Sequence, residues 1–250
     1  MQRTLKLMAI AMLSTLFSCG ENNKTIVVGA SSTPHALILE QTQDYIESKG
    51  YKLEIRVFDD YVLPNYALEN SELDANYFQH KPYLNDFNES NGTHLVPVLD
   101  VHFEPMGIYK GTKSSIADFR PGDKIVVPSD KSNNERAMDL LNKAFDMLGW
   151  DDLDKANIIE VEAQTIPLML DDCAFAVING NYALSSGVLD KCIVREDKTS
   201  EIAQKMANVI AVKVGHENSD KTKLLIEAIC QENVRKYIKD TFGDSVIPMF

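Results

Sequence analysis

DDYVLPNYALENSELDANYFQHKPYL, residues 59–84, sets Tyr61, Tyr66, Tyr77, Phe78, His80 and Tyr83 close together around Pro64 and Pro82. Small and polar residues separate the rings. Aromatic side chains with hydrogen-bonding tips enclose a small apolar group well, and prolines fix the turns that aim them. An ordinary core segment with an irregular loop has the same composition, because aromatic residues most often simply pack. What surrounds the stretch decides between pocket wall and core.

Upstream, TIVVGA at 25–30 is a compact apolar run typical of a buried strand. Thr33 suits a helix N-cap and Pro34 the first helical position, so a helix is expected from His35 to about Ser48. Such a strand-to-helix junction exposes N–H groups that favour an anion, here a ligand carboxylate, although simple capping uses the same amides. Residues 52–58 alternate Leu53, Ile55 and Val57 with Glu54 and Arg56, the period of a half-buried strand.

Downstream, 94–103 and 107–109 read as extended, and KIVVP at 124–128 as a strand. A helix over 133–148 carries Ala137, Leu140, Leu141, Ala144, Phe145 and Leu148 on one stripe and stops at Gly149. Arg136 lies off that stripe, near the helix start. Strands follow at 158–161, 174–178 and 207–214, with a sharp turn at Asn179-Gly180-Asn181-Tyr182 and a last helix over 219–241. Strands alternating with helices predict an α/β protein.

The words themselves carry more. DYVLPNYAL followed by ELDANYFQHKPYL closely resembles the signature of the methionine-binding lipoprotein family, the substrate-binding component of bacterial methionine ABC importers. HFEPMGIY at 102–109, the stretch Asn133-Asn134-Glu135-Arg136-Ala137, LDDCAFAVINGNYAL at 170–184 and ANVIAV at 207–212 continue the resemblance over most of the chain. It implies a two-lobed periplasmic-binding-protein-like fold of type II with its ligand in the cleft between lobes. Lobe one is expected over 25–108 plus 215–250 and lobe two over 109–214. Carried onto this chain, the resemblance places the ligand's backbone end on Arg136, Asn179, Asn181 and Asn208, and its side chain in a slot of Tyr61, Phe78, His80 and Tyr83. Tyr66 and Tyr77 are expected to support that slot. SSTPHALILE replaces a common glycine-proline version of the first helix, and Met206 stands where an aromatic is common. Both departures touch fit more than the presumed contacts.

Residue chemistry is consistent with binding. A ligand carboxylate needs a cation or convergent donors, which an arginine supplies through paired N–H bonds. An ammonium needs acceptors, and a thioether packs well against ring faces and edges. On their own, Arg136 reads as a surface helix residue and the Asn-Gly pair as turn chemistry.

Composition bounds the rest. Two hundred and fifty residues suffice for one large domain or two modest lobes, and a net charge of −12 argues against nucleic-acid binding. Arg3 and Lys6 precede an apolar run from Leu7 to Phe17, too short to span a membrane and typical of a secretory signal. Leu-x-Ser-Cys ending at Cys19 resembles a lipobox, so residues 1–18 are expected to be removed, Cys19 to carry lipid, and 19–24 to act as a tether. Cys173, Cys192 and Cys230 are expected to be mostly buried thiols, with a Cys173–Cys192 bridge open.

Enzyme motifs are lacking: no G-x-S-x-G, H-E-x-x-H, P-loop or G-x-G-x-x-G occurs. Five scattered histidines show no metal spacing, so neither metal nor cofactor is expected. The resulting reading is a monomeric, lipid-anchored envelope protein that captures L- or D-methionine for an ABC permease and its ATPase. Methionyl dipeptides or another apolar amino acid, an envelope enzyme on the same fold, and a non-transport surface lipoprotein are the alternatives.

Overall fold

The computed structural model describes residues 24–150, 152–199 and 201–250; the expected signal segment and Cys19 lie outside them. The chain runs through β1 (Thr25–Ser31), α1 (Leu37–Glu40), α2 (Gln43–Ser48), β2 (Lys52–Phe58), α3 (Leu63–Glu69), β3 (Ala75–His80), α4 (Lys81–Asn91) and β4 (Leu95–Phe103). It continues with β5 (Gly107–Lys110), β6 (Lys124–Pro128), α5 (Lys131–Asp146), β7 (Asn157–Val161), β8 (Phe175–Ile178), α6 (Gly180–Ser185) and β9 (Cys192–Arg195). Last come α7 (Glu201–Lys205), β10 (Asn208–Lys213), α8 (Asp220–Ile229), α9 (Glu232–Phe242) and β11 (Ile247–Pro248).

Two sheets define two lobes. One has the order β2-β1-β3-β10-β4-β11 and the other β7-β6-β8-β5-β9. In each, the first three strands of that lobe pair in parallel. The strand that enters immediately after the chain crosses from the other lobe inserts antiparallel beside the third: β5 after the outward crossing, β10 after the return. This matches the expected two-lobed α/β architecture. It also corrects the expected boundaries. Asn208–Lys213 belongs to the first sheet, so the return crossing precedes Asn208 rather than following residue 214, and Gly107 and Ile108 already pair in the second sheet. An apolar run such as NVIAV announces a buried strand but carries no information about which sheet it joins.

Each lobe buries its own core. Ile26, Val28, Ile210 and Val212 pack under the helices of the first sheet, against Leu225, Ile229, Val234 and Ile238. In the second lobe Ile125, Val127 and Phe175 meet the predicted stripe of α5, with Ala137, Leu141 and Phe145 fully buried. Each Val, Leu, Ile or Phe side chain among these contributes about 1.5–3 kcal/mol when buried.

Local structure departs from expectation in four places. Thr33 is extended (φ −138°, ψ 133°) and caps nothing; the chain passes through a π-turn at Ser32–Ala36 before two short helices, α1 and α2. Within 59–91 the stretch read without regular elements forms α3, β3 and α4, and Asn76 and Gln79 on the buried strand β3 are satisfied by Asn65 of α3. Asn179 is the N-cap of α6 rather than part of a free turn. The last helix breaks after Ile229, where Cys230 caps α8. All three described cysteines are free thiols: Cys173 is buried, Cys192 half-buried and Cys230 exposed.

Gly111 closes the turn after β5. An added Cβ would stand 2.3 Å from the Cys173 carbonyl oxygen and 2.5 Å from that of Leu170. Backbone cannot yield as a side chain can, so Gly111→Ala should lower the unfolding free energy by about 1–3 kcal/mol or more. A urea denaturation midpoint equal to the wild type would contradict this.

Candidate ligand-binding site

The carboxyl ends of the parallel strands face one another across the gap between sheets, where open α/β sheets place their ligands. β5 and β10 run the other way, so their first residues reach the same edge. From these ends project the residues that line one pocket: Tyr61, Phe78, Gln79, His80 and Tyr83 of the first lobe, Asn208 at the start of β10, Glu104 at the outward crossing, and Asn133, Arg136, Asn179, Gly180 and Asn181 of the second. All eight residues expected at the site are among them. The space between the lining atoms, part of it open to solvent, comes to about 330 Å³.

One end is aromatic. Tyr61 lies 5.8 Å from Phe78 and 5.7 Å from Tyr83, centroid to centroid, and Tyr83 donates its hydroxyl to the Tyr61 carbonyl at 3.0 Å. His80 caps α4 by accepting the Tyr83 N–H on Nδ1, at 3.2 Å. Its Nε2–H is thereby left to donate to Asn133 Oδ1 of the other lobe, at 3.1 Å. Tyr77 lies fully buried beneath, whereas Tyr66 is 40% exposed and bonds Asn91, so only the first supports the slot.

The other end is polar and largely pre-tied. Asp130 caps α5 and holds the Asn133 amide, turning Asn133 Oδ1 toward His80 and toward Asn179 Nδ2 at 2.7 Å. Asn179 Oδ1 is buried without any partner. Asn181 Oδ1 accepts from Tyr61 at 2.6 Å, across the lobes, and Asn208 Oδ1 pairs with His35 Nε2 at 3.1 Å. Arg136 is 5% exposed, not the surface residue its place off the stripe implied. Glu196 takes its Nε at 2.8 Å and Nη2 at 2.5 Å, and the Glu104 carbonyl also accepts from Nη2 at 2.9 Å. The paired edge expected to grip a carboxylate is therefore occupied, and Nη1 is the edge that these groups leave.

Residues 26–148 and 151–250 match the NlpA lipoprotein family. The chain belongs to the NlpA lipoprotein family. Among its relatives, the methionine-binding lipoprotein MetQ of Bacillus subtilis is 32% identical, with 96% of each chain covered. A lipoprotein structure from Ruminococcus gnavus is 43% identical with a TM-score of 0.85, covering 91% of this chain and 100% of that one. A nutrient-binding protein from Burkholderia cenocepacia, solved bound to methionine, is 32% identical with a TM-score of 0.81, covering 90% and 100%.

Four lining residues escaped the sequence reading: Gln79, Glu104, Asn133 and Gly180. Asn133 and Glu104 stand inside the words that carried the resemblance, yet nothing local marks them as lining a pocket. His35 and His102 are 67 positions apart in sequence and meet because β1 and β4 end at the same edge. His102 Nε2 lies 2.6 Å and His35 Nε2 3.4 Å from Glu104 Oε1, and the Tyr77 hydroxyl bonds His102 Nδ1 in a very short contact. The donor atoms of the three lie within 4.8 Å of one another. Two histidines and a carboxylate have the composition of a metal site, but His102 Nε2 is hydrogen-bonded to Glu104 and His35 Nε2 to Asn208.

Burial dominates the electrostatics. It pushes His35 down to about 4, His102 to about 3 and His80 to about 4, the last aided by the Arg136 charge, so all three are neutral at pH 7. Glu104 is pushed up to about 7 by burial, against the opposing effects of His35, Arg136 and the Asn181 N–H.

The signs of these shifts oppose. The histidines' folded values lie below the unfolded one, so their contribution is present above about pH 6.5 and lost as pH falls; that of Glu104 is full below about 4.5 and lost as pH rises through 7. Three groups outweigh one. Without ligand, unfolding near pH 5 should take up roughly two protons from these four groups, read as a fall in unfolding free energy between pH 6.5 and 4.5. A flat profile across that window would contradict the buried neutral histidines. Separately, Glu196→Gln leaves the buried guanidinium unmatched and should cost about 3 kcal/mol of stability by urea titration. The same change at Asp139, whose pair with Lys143 is exposed, should cost little.

Proposed function

We propose that this protein captures methionine in the cleft and delivers it to an ABC importer, anchored to the bacterial envelope by lipid on Cys19 and acting as a monomer. It performs no covalent chemistry; the permease and its ATPase supply passage and energy.

The observation that carries the reading is the polarity of the pocket. Tyr61, Phe78 and Tyr83 form an apolar slot that suits a thioether, while the opposite end holds the groups an amino acid's backbone needs. Arg136 Nη1 meets the carboxylate. Glu104 and the unpartnered Asn179 Oδ1 face the ammonium, and Asn181 and Asn208 border the same end. These groups come from both lobes, so a ligand that joins them favours the closed arrangement over the open one. The methionine bound to the Burkholderia cenocepacia relative and the name of the Bacillus subtilis one support the cargo.

Native mass spectrometry of the full chain in detergent, followed by calorimetric titration with L-methionine, D-methionine and methionyl dipeptides, tests this. A retained or titrated methionine with unchanged covalent structure supports capture and ranks the stereoisomers. Failure to bind any of them, or turnover of one, overturns it. Phe78→Ala removes a ring that is 3% exposed from the slot and should weaken methionine binding by about 2 kcal/mol or more, some thirtyfold.

A further inference from the structure

Glu104 is a buried acid without a cation of its own. It sits at the crossing between the sheets, 5% exposed, and lines the pocket. The groups around it are known from every side. His35 follows β1, Tyr77 comes from β3 and His102 from β4; Tyr61 and Tyr109 are the other acidic hydroxyls that feel its charge. From the second lobe come Gly180, the Asn181 N–H and Arg136. Among the described residues Arg136 is the guanidinium that reaches it, and Glu196 already matches that charge at two nitrogens. Both histidines are neutral. An ionised Glu104 in the closed pocket therefore lacks a counter-charge until a cation enters, and burial accordingly holds its carboxyl up to about 7.

We propose that ligand capture is proton-linked: the ligand's ammonium displaces a proton from Glu104, and His102 and Tyr77 act through Glu104 as positioning residues. The inference rests on the methionine-binding reading and extends it to the ligand class, which is an unblocked amine rather than an N-acylated one. The balance is simple. Neutral carboxyl plus ammonium gives carboxylate paired with ammonium, and one proton leaves to solvent.

The histidine chain explains why the carboxylate is ready for this. In the tautomer that carries hydrogen on Nε2, His102 accepts from the Tyr77 hydroxyl on Nδ1 and directs its N–H at Glu104 Oε1. His35 Nε2 is anchored by Asn208 and approaches the same oxygen. Gly180 keeps the acid from being displaced: an added Cβ there would lie 2.7 Å from Glu104 Cβ and 2.9 Å from Oε2. With Oε1 held from the first lobe, an arriving cation meets an acceptor that needs no reorientation.

The experiment is calorimetric titration of the full chain in detergent with L-methionine at pH 6 and pH 8.5, in buffers of different ionisation enthalpy. Release of about one proton per ligand is expected at pH 6 and almost none at pH 8.5, with affinity falling about tenfold per pH unit below 7. N-acetylmethionine should bind far more weakly and release no proton. Glu104→Gln should abolish both the buffer-dependent heat and the pH dependence. Tyr77→Phe weakens the donation to Glu104 and should move the midpoint of the pH profile upward. Binding of methionine by the wild type without proton release overturns the proton linkage and leaves the binding reading standing. An unmoved midpoint in Tyr77→Phe overturns the positioning role. Absence of methionine binding at every pH overturns both the linkage and the function beneath it.

Discussion

The pair of Arg136 and Glu196 joins the two places where the chain crosses between lobes. Glu196 follows β9 on the way back, and its carboxylate takes both the guanidinium and the Met106 N–H of the outward crossing, at 2.8 Å. The Glu196 N–H in turn donates to the Met106 carbonyl at 3.0 Å, and Arg136 reaches the Glu104 carbonyl. One ion pair thus stitches both connections to the start of α5. Such a pair is costly to bury and costlier to break, so it specifies geometry more than it adds stability. The Glu104 carbonyl, at the pocket's edge, is held by this stitch.

Around it the pocket divides by physics. The aromatic end is held by packing and by two hydroxyl donations that satisfy backbone carbonyls, at Tyr61 and Asp59. Tyr182 packs a ring from the second lobe 5.0 Å from Tyr61, so the aromatic end is braced from both lobes. The polar end is a set of side chains whose hydrogen bonds fix one another's orientation: Asp130 sets Asn133, Asn133 sets His80 and Asn179, and Tyr77 sets His102. A network of this kind leaves few groups unpaired, and those few are where a ligand has something to offer. No described helix is long and apolar enough to cross a membrane.

Much of this was legible in particular residues. TIVVGA, KIVVP and the α5 stripe declared their elements through period and burial, and the structure places them as read except at Leu148, which lies beyond the helix end and is exposed. The aromatic word at 59–84 was legible as a wall, but its three regular elements were not. Asn65, Asn76 and Gln79 look like loop residues, and only their mutual bonding inside the fold makes buried helix and strand of them. Arg136 read as peripheral because helical period places a residue on a face without saying what covers that face. Here Glu196, sixty positions on, covers it.

The sequence alone determined the local grammar: which runs become strands, which helix face is apolar, and which rings cluster beside which prolines. Those follow from interactions within a few residues, where side-chain period and backbone preference decide. The membership of β10 in the first sheet, the meeting of His35, His102 and Glu104, and the burial of Arg136 came only with tertiary structure. Each depends on strands brought together from distant parts of the chain, and on a low-dielectric setting in which neutral histidines and a reluctant acid exist only because neighbours exclude water.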